Sequence, residues 1–202
     1  MDLIKKFIEI NHPKDNIEYP HIIINSIPAP ELTLNPGTAQ ILVPYSYGLR
    51  LLEKSGSDII AIICNTAYVY LDILQGETAV PIINLRTEVE KYLNTLHAKT
   101  VTVIGTPYTI TTGLYKFNGL HYNEMSKPEL KDLSRAISQY NLGIDTKEQE
   151  IFTQRLVHKY AKVSDVIILG CSEVALMTKG LAINAVDPME VLANAVLREY
   201  GK

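Results

Sequence analysis

The sequence predicts an α/β fold with parallel sheets, arranged as two similar lobes. Short β-branched runs alternate along the chain with segments of helical period, which is typical of βα units. Hydrophobic residues make up 47% of the 202 residues, enough to fill a core. Two stretches, 57–66 and 164–173, look like copies: each has Ser-Asp, an apolar run, a cysteine and further polar residues. The duplication favours two lobes with a boundary near Ala98–Lys99.

The first half of the chain alternates helices and strands around a proline-rich loop. Residues 1–10 place apolar side chains at helical spacing, and residues 21–25 form a β-branched run that predicts a buried strand. Prolines and a glycine between residues 28 and 37 predict a long loop, where binding groups are often found. The elements expected after it are helix 39–55, strand 58–63, helix 66–75, strand 80–84 and helix 87–97.

The second half repeats this order. Pro128 opens one predicted helix, Thr146 caps the next, and Asp187 followed by Pro188 starts the last. The elements expected are strand 100–104, helix 110–117, strand 119–123, helix 128–140, helix 146–161, strand 165–169, strand 181–184 and helix 187–200. The first lobe would then be residues 1–98 with part of the C-terminal helix 187–202, and the second lobe residues 99–186.

Charge and motif content exclude several classes of function. The net charge of −3 gives no reason to expect a nucleic acid or a membrane surface as partner. No apolar run approaches the roughly 20 residues of a membrane span, and residues 1–8 make a poor signal peptide, so we expect a cytoplasmic protein. Neither spaced zinc ligands nor a glycine-rich phosphate loop is present, and we expect no cofactor or metal.

The two cysteines, Cys64 and Cys171, are the residues with the clearest chemical meaning. A single cysteine at a strand end is most often a small buried apolar residue, but the duplicated setting favours a function. Both lie at the carboxyl ends of predicted strands, where α/β sheets bind ligands, so both would line one cleft. The N–H groups of a following helix would lower the pKa of each thiol.

Two thiols on opposite faces of a substrate can exchange protons with carbon. One removes a proton and the other returns a proton to the opposite face, which inverts the α-carbon of an amino acid without a cofactor. Asn65, Thr66 and Ser172, beside the cysteines, are suitable donors for the charge that develops on the substrate carboxylate.

Four motifs in order resemble those of the aspartate/glutamate racemase superfamily, nearest its aspartate racemase branch. The motifs are Cys64-Asn65-Thr66-Ala67, Gly105-Thr106-Pro107-Tyr108-Thr109, Gly170-Cys171-Ser172-Glu173 and Asp187-Pro188-Met189-Glu190. The resemblance implies two pseudo-symmetric flavodoxin-like lobes with the site in the cleft between them. It also implies a homodimer, and cofactor-independent racemisation of aspartate or a related amino acid by Cys64 and Cys171. The substrate contacts that it implies are Asn65, Thr66, Thr106, Thr109, Lys131, Ser172 and Glu173. Lys131 would bind a distal acid, or is a solvated helix lysine.

The sequence departs from the pattern of this superfamily in its first lobe. The superfamily normally opens with a strand and a glycine-rich turn before the helix that residues 1–10 match; either the start lies upstream or the lobe is rebuilt. The loop that includes Glu31 lacks the usual arginine, and Glu31 would repel an acidic substrate; Arg50 and Arg86 are expected on helices. Tyr68 stands where histidine is frequent. These departures leave two alternatives open: a relative with maleate isomerase or decarboxylase chemistry, or a non-catalytic dicarboxylate-binding protein.

Overall fold

The computed structural model describes residues 20–28 and 39–201, the side chains of residues 39 and 40 excepted. The predicted helix 1–10 and most of the proline-rich loop lie outside these residues. The described α-helices are α1 (Val43–Lys54), α2 (Leu71–Gln75), α3 (Leu85–Thr95), α4 (Pro107–Thr111), α5 (Lys127–Asn141), α6 (Thr146–Tyr160), α7 (Ser172–Met177) and α8 (Pro188–Tyr200). Short 3₁₀ helices at Ala39–Leu42 and Thr66–Tyr70 precede α1 and α2. No helix among the described residues is long and apolar enough to cross a membrane.

A parallel sheet forms the centre of the second half. Its strands are β1 (Thr100–Gly105), β2 (His121–Tyr122), β3 (Val166–Gly170) and β4 (Ala185–Val186), in the spatial order β2-β1-β3-β4. Strands β1 and β3 pair in register from Val101 with Val166 to Gly105 with Gly170, and β3 is buried throughout. The α/β class with parallel strands is therefore confirmed, as are the positions of β1, β2 and β3 to within two residues at each end.

The prediction of regular strands in the first half is wrong. Residues 20–28 form no strand or helix, and 58–63 and 80–84 meet at a single parallel bridge between Ile60 and Ile82. The bridge has two hydrogen bonds, from Ile60 N to Pro81 O (3.0 Å) and from Ile83 N to Ile60 O (2.9 Å). Pro81 has no N–H to extend the pairing. The Cys64 N–H folds back to Ile62 O at 2.9 Å, which ends the extended segment just before the thiol.

Several boundaries in the second half also differ from the prediction. The helix expected at 110–117 is α4, which begins earlier because Pro107 occupies its first turn and the Thr106 hydroxyl accepts from the Thr109 N–H. The strand expected at 181–184 lies at Ala185–Val186, and α7 was not predicted. The cap of α6 is Asp145, with a left-handed φ of 45°, rather than Thr146. The Asp187 cap of α8 is confirmed: its carboxylate accepts from the Met189 N–H at 2.9 Å.

Two apolar clusters cover the two faces of the sheet. In β3, Val166 and Ile168 enter the first cluster, whereas Ile167 and Leu169 enter the second. The first cluster combines residues from both halves of the chain, and Cys64 packs against its edge. The second cluster lies under α5, α6 and α7 and contains Cys171. Cys64 therefore packs against one apolar cluster, and Cys171 belongs to the other. The predicted boundary at residues 98–99 stays a prediction, although the first cluster crosses it.

Candidate active site

Cys171 lies at the carboxyl end of β3 and is the residue that precedes α7. Its side chain is buried, with 6% of its surface exposed. The Sγ donates a hydrogen bond to Oε2 of Glu173 at 2.7 Å, and the Ser172 hydroxyl donates to the same oxygen at 3.0 Å. A buried thiol is therefore held against a carboxylate two residues further along the chain.

Cys64 occupies the equivalent position in the first half, between the extended segment at Ile60 and the 3₁₀ helix Thr66–Tyr70. As a whole residue it is half-buried. The backbone N–H groups of Thr66 and Ala67 and the hydroxyl of Tyr45, from α1, are the donors beside its sulfur, and each lowers its pKa. Each of these groups is a donor toward sulfur, whereas Cys171 has one such donor, the Glu173 backbone N–H, together with the Glu173 carboxylate as acceptor.

Tyr68 supports the segment that leads to Cys64. Its ring is 4% exposed, and its hydroxyl accepts a hydrogen bond from the Ile62 N–H at 3.1 Å. Burial raises the pKa of Tyr68, so this phenol stays neutral at physiological pH. The residue that replaces the frequent histidine thus fixes the backbone before the thiol.

Three threonine hydroxyls join the two halves of the chain beside the cysteines. Thr66 lies 3.1 Å from Thr106 and 3.0 Å from Thr109, and the hydroxyls of Thr106 and Thr109 are 3.0 Å apart. All three side chains are buried. Next to them the rings of Tyr70 and Tyr108 stack at 6.0 Å, and their hydroxyls form a hydrogen bond of 2.9 Å. These threonine hydroxyls hydrogen-bond to one another, and their contact with a substrate stays a prediction.

Asn65 offers an unused donor beside Cys64. Its side chain is 3% exposed, and its Oδ1 accepts a hydrogen bond from the Tyr115 hydroxyl. Its Nδ2 is buried and has no hydrogen-bond partner within the described part of the chain. A buried N–H group without a partner costs about 1–3 kcal/mol, and the contact of this amide with a substrate stays a prediction.

A pair of glycines brings the strand ends of the site together. A Cβ atom on Gly105 would lie 2.7 Å from the carbonyl oxygen of Gly170, closer than real Cβ atoms approach backbone. Because Gly105 precedes Thr106 and Gly170 precedes Cys171, this close approach sets the spacing between the threonines and the second thiol.

The pKa values of both thiols are raised, so the predicted net lowering of their pKa is wrong for the ligand-free protein. Burial is the largest cause for each, and the negative charge of Glu173 adds to it. The N–H groups of Thr66 and Ala67 do lower the pKa of Cys64, as expected of a helix start, but burial outweighs them. Ionised Cys64 also raises the pKa of Cys171, which means that the two thiols are within electrostatic range of each other.

No contact recorded among the described residues joins the predicted cation, Lys131, to this cluster. Lys131 lies on α5 with an exposed side chain, and its binding of a distal acid stays a prediction. Arg50 and Arg86 lie on α1 and α3, as expected: Arg50 pairs with Glu77, and Arg86 donates to Lys116 O at 2.8 Å. Glu173 is the charged side chain found in contact with a thiol.

A groove of about 560 Å³ lies elsewhere, between α3 and α8. Glu88, Lys91 and Arg198 on its wall form an ion-pair network, and neither cysteine lines it. We therefore place the candidate site at the cysteines, where the thiols and the unused amide donor meet.

Sequence reasoning did not single out Tyr45 and Tyr115. Tyr45 contacts Cys64 and Tyr115 contacts Asn65, each from a distant part of the chain. The 12 tyrosines show no spacing that distinguishes these two, so no signal in a single sequence could have found them.

Comparison with known proteins gives consistent results at the level of family and fold. The model of the Asp/Glu/hydantoin racemase family matches residues 1–196. The broad specificity amino-acid racemase RacX of Bacillus subtilis (strain 168) is 29% identical over 196 residues, which cover 92% of this chain and 84% of that protein. A crystal structure of an aspartate racemase homologue from Pyrococcus horikoshii OT3 superposes with a TM-score of 0.76 at 25% identity, over 99% of this chain and 92% of the other.

The aspartate racemase of Picrophilus torridus superposes with a TM-score of 0.84 over 100% of this chain and 88% of the other, at 19% identity, which shows the shared fold. These likenesses confirm the expected two-lobed, flavodoxin-like α/β architecture. The match over residues 1–196 also confirms the resemblance that the cysteine motifs carry, and the chain belongs to the Asp/Glu/hydantoin racemase family.

Proposed function

We propose that this protein is a cofactor-independent amino-acid racemase in which Cys64 and Cys171 exchange protons with opposite faces of the substrate α-carbon. The observation that carries the proposal is the placement of the two thiols at equivalent chain positions on either side of one cluster. Thr66, two residues after Cys64, lies within hydrogen-bond distance of Thr106 and Thr109, and Gly105, before Thr106, pairs with Gly170, before Cys171. Membership of a racemase family and the likeness to RacX support an amino acid as substrate.

The proposed reaction conserves protons at the site. One cysteine, as thiolate, takes the α-proton and becomes a thiol, and the electron pair left on carbon is delocalised into the substrate carboxylate. The other cysteine gives its proton to the opposite face and becomes the thiolate, and the configuration is inverted. The Asn65 Nδ2–H group is a suitable donor to the carboxylate as its negative charge grows.

The raised thiol pKa values fit a site that is completed by its substrate. In the free protein, burial disfavours both thiolates. The ammonium group of a bound amino acid would add a positive charge near the sulfurs and so favour ionisation of one of them. Aspartate is one candidate, and the broad specificity of RacX argues for testing acidic, neutral and basic amino acids together.

The test is exchange of the α-proton with solvent. Enantiopure amino acids are incubated with the protein in D₂O, and loss of the α-proton by NMR is compared with chiral chromatography. We expect deuterium at the α-carbon and formation of the opposite enantiomer from either starting enantiomer. In Cys64→Ala and Cys171→Ala, racemisation should fall by at least about 10²–10⁴-fold, the usual contribution of one acid/base group.

Circular dichroism spectra and melting temperatures of both variants serve as the folding control. Unchanged racemisation in either folded variant would falsify the two-base assignment. Maleate is assayed beside the amino acids for isomerase chemistry. Thermal stabilisation by dicarboxylates without any exchange would indicate instead a binding protein. The homodimer that the family resemblance implies also stays a prediction, open to sedimentation equilibrium.

A further inference from the structure

The two thiols have different hydrogen-bonding surroundings. The Glu173 backbone N–H lowers the pKa of Cys171, but the Glu173 carboxylate raises it by more. Cys171 donates its S–H to the Glu173 carboxylate at 2.7 Å, and a carboxylate accepts a hydrogen bond from a thiol but can donate none to a thiolate. Cys64 instead faces the O–H of Tyr45 and two backbone N–H groups, which donate to sulfur and stabilise its anion. The surroundings thus favour a proton on Cys171 and its absence from Cys64.

Burial acts in the same direction. Cys171 is 6% exposed within the second apolar cluster, whereas Cys64 keeps part of its surface open to solvent. A thiolate loses more solvation energy at the more buried position. Geometry and desolvation therefore agree on which of the two thiols ionises more readily.

Both sulfurs have titratable neighbours. Those that act on or respond to Cys64 are Tyr45, Tyr68, Tyr115, Cys171 and Glu173, and those of Cys171 are Cys64, Tyr115 and Glu173. Burial raises the pKa of all three tyrosines, so they stay neutral at physiological pH. Glu173 is thus the neighbour that can bring a fixed negative charge, and its effect on Cys171 includes a direct hydrogen bond.

We propose that Tyr45 and Glu173 are positioning residues that give the two cysteines opposite roles in the ligand-free protein: Cys171 keeps its proton, and Cys64 is the thiol that ionises first. The catalytic meaning of this difference between the cysteines rests on the proposed racemase function, but the two proton states can be measured without turnover. In the reaction, Cys64 would take the first α-proton and Cys171 would give its own. The free protein would then accept directly the enantiomer whose α-proton faces Cys64.

The experiment measures the ionisation of each thiol separately. The protein is treated with iodoacetamide over a series of pH values, and alkylation of Cys64 and of Cys171 is quantified by mass spectrometry of peptides. We expect Cys64 to react at least about tenfold faster than Cys171 at neutral pH, the ratio for one unit of pKa difference. The midpoint of each pH profile reports ionisation, whereas access of the reagent affects only the plateau.

Two variants should move the midpoints in opposite directions. Glu173→Gln removes a negative charge and an acceptor, so the midpoint of Cys171 should fall, and that of Cys64 should fall less because it loses only the charge effect. Tyr45→Phe removes a donor to the Cys64 thiolate, so the midpoint of Cys64 should rise. Tyr47→Phe, on the same helix with 62% of its side chain exposed, is the matched control and should change neither midpoint.

The outcomes separate this inference from the proposed function. Faster alkylation of Cys171 than of Cys64, or an unmoved Cys171 profile in Glu173→Gln, overturns the assignment even if the protein racemises amino acids. If Cys171 is not labelled in the wild type, the assignment requires that Glu173→Gln makes it reactive. A Cys64 midpoint that shifts equally in Tyr45→Phe and Tyr47→Phe removes Tyr45 from the proposal.

Discussion

At the scale of single residues, the side-chain amide of Asn65 has one group in a hydrogen bond and one group without a partner. Its Oδ1 is occupied by the Tyr115 hydroxyl, which fixes the amide so that Nδ2 is left as a donor. A protein that kept this donor only for stability would be expected to satisfy it internally. We therefore assign the unused N–H to the substrate carboxylate, as part of the proposed function.

Asn65→Ala should weaken substrate binding and leave the Tyr115 hydroxyl without its acceptor. Loss of a hydrogen bond to a charged group costs about 1.5–3 kcal/mol, so KM should rise roughly tenfold or more. The unfolding free energy should fall by about 1–3 kcal/mol from the orphaned hydroxyl. Steady-state kinetics and urea denaturation measure the two effects.

Tyr115→Phe is the matched control for this substitution. It removes the same Tyr115–Asn65 bond and should lower stability similarly, but it retains the Nδ2 donor and so should keep KM close to that of the wild type. A KM that rises equally in both variants would show that Asn65 acts through packing rather than through its amide.

At the scale of elements, the ends of β1 and β3 determine the geometry of the site. Gly105 and Gly170 are paired in register, and each is followed by a residue of the cluster, Thr106 or Cys171. The two strands can approach at this point only because Gly105 has no side chain. The distance between the strand ends is therefore a property of one backbone contact.

Gly105→Ala should be markedly more harmful than Gly170→Ala. The added methyl at Gly105 meets the Gly170 carbonyl carbon at 2.8 Å, so backbone must move, at a cost of about 1–3 kcal/mol. At Gly170 the nearest atom is a methyl of Val103 at 3.1 Å, which a side chain can relieve. Denaturant unfolding and racemisation rates compare the two. Equal losses, or a harmless Gly105→Ala, would contradict the backbone-contact interpretation.

Elements that the sequence predicted well are those with both a composition and a boundary signal. The run 100–105 and the run 166–170 are β-branched and end at glycine, and the Asp187-Pro188 start of α8 combines a cap with a preset φ. In the first half, Ile60 and Ile82 are buried at 3% and 7%, as a strand prediction requires, yet they form one bridge. A β-branched composition indicates that a segment is buried. It does not indicate whether a neighbouring segment has enough N–H groups to pair with it as a strand.

Candidate site residues could be predicted from local sequence and from motifs. Asn65, Thr66 and Ser172 follow from their position beside a cysteine, whereas Thr106, Thr109 and Glu173 follow from the family resemblance. Tyr45 reaches Cys64 from α1, and Tyr115 reaches Asn65 from 50 residues away, so both depend on tertiary packing. The raised pKa of each thiol was missed for the same reason, since burial cannot be read from the local motif.

At the scale of the whole molecule, the two halves share one apolar cluster. Leu85 and Val89 of α3 belong to it together with Val101 of β1 and Leu192 of α8, all fully buried. The last helix of the chain thus packs on residues that come before the sheet. Separation of the halves would expose this cluster, so we expect them to unfold together.

Leu192→Ala should lower the stability of the entire molecule in one transition. Truncation of a fully buried leucine costs about 2–5 kcal/mol. For each protein, circular dichroism and calorimetry should show one transition with the same midpoint. The midpoint of the variant should be lower than that of the wild type. Leu142→Ala, at a leucine that is 71% exposed, is the control and should stay within about 0.5 kcal/mol of the wild type. Two separate transitions would show that the halves fold independently.

The stacked rings of Tyr70 and Tyr108 give the protein an internal optical label. Tyr70 follows Thr66 in the first half, and Tyr108 lies between Thr106 and Thr109 in the second, so the pair spans the junction of the two halves beside the thiols. The chain contains no tryptophan, and its ultraviolet emission therefore comes from tyrosine alone. Stacking and the shared hydrogen bond set the absorption and emission of these two rings. A change in the contact between the two halves would therefore change the ultraviolet spectrum of the unmodified protein.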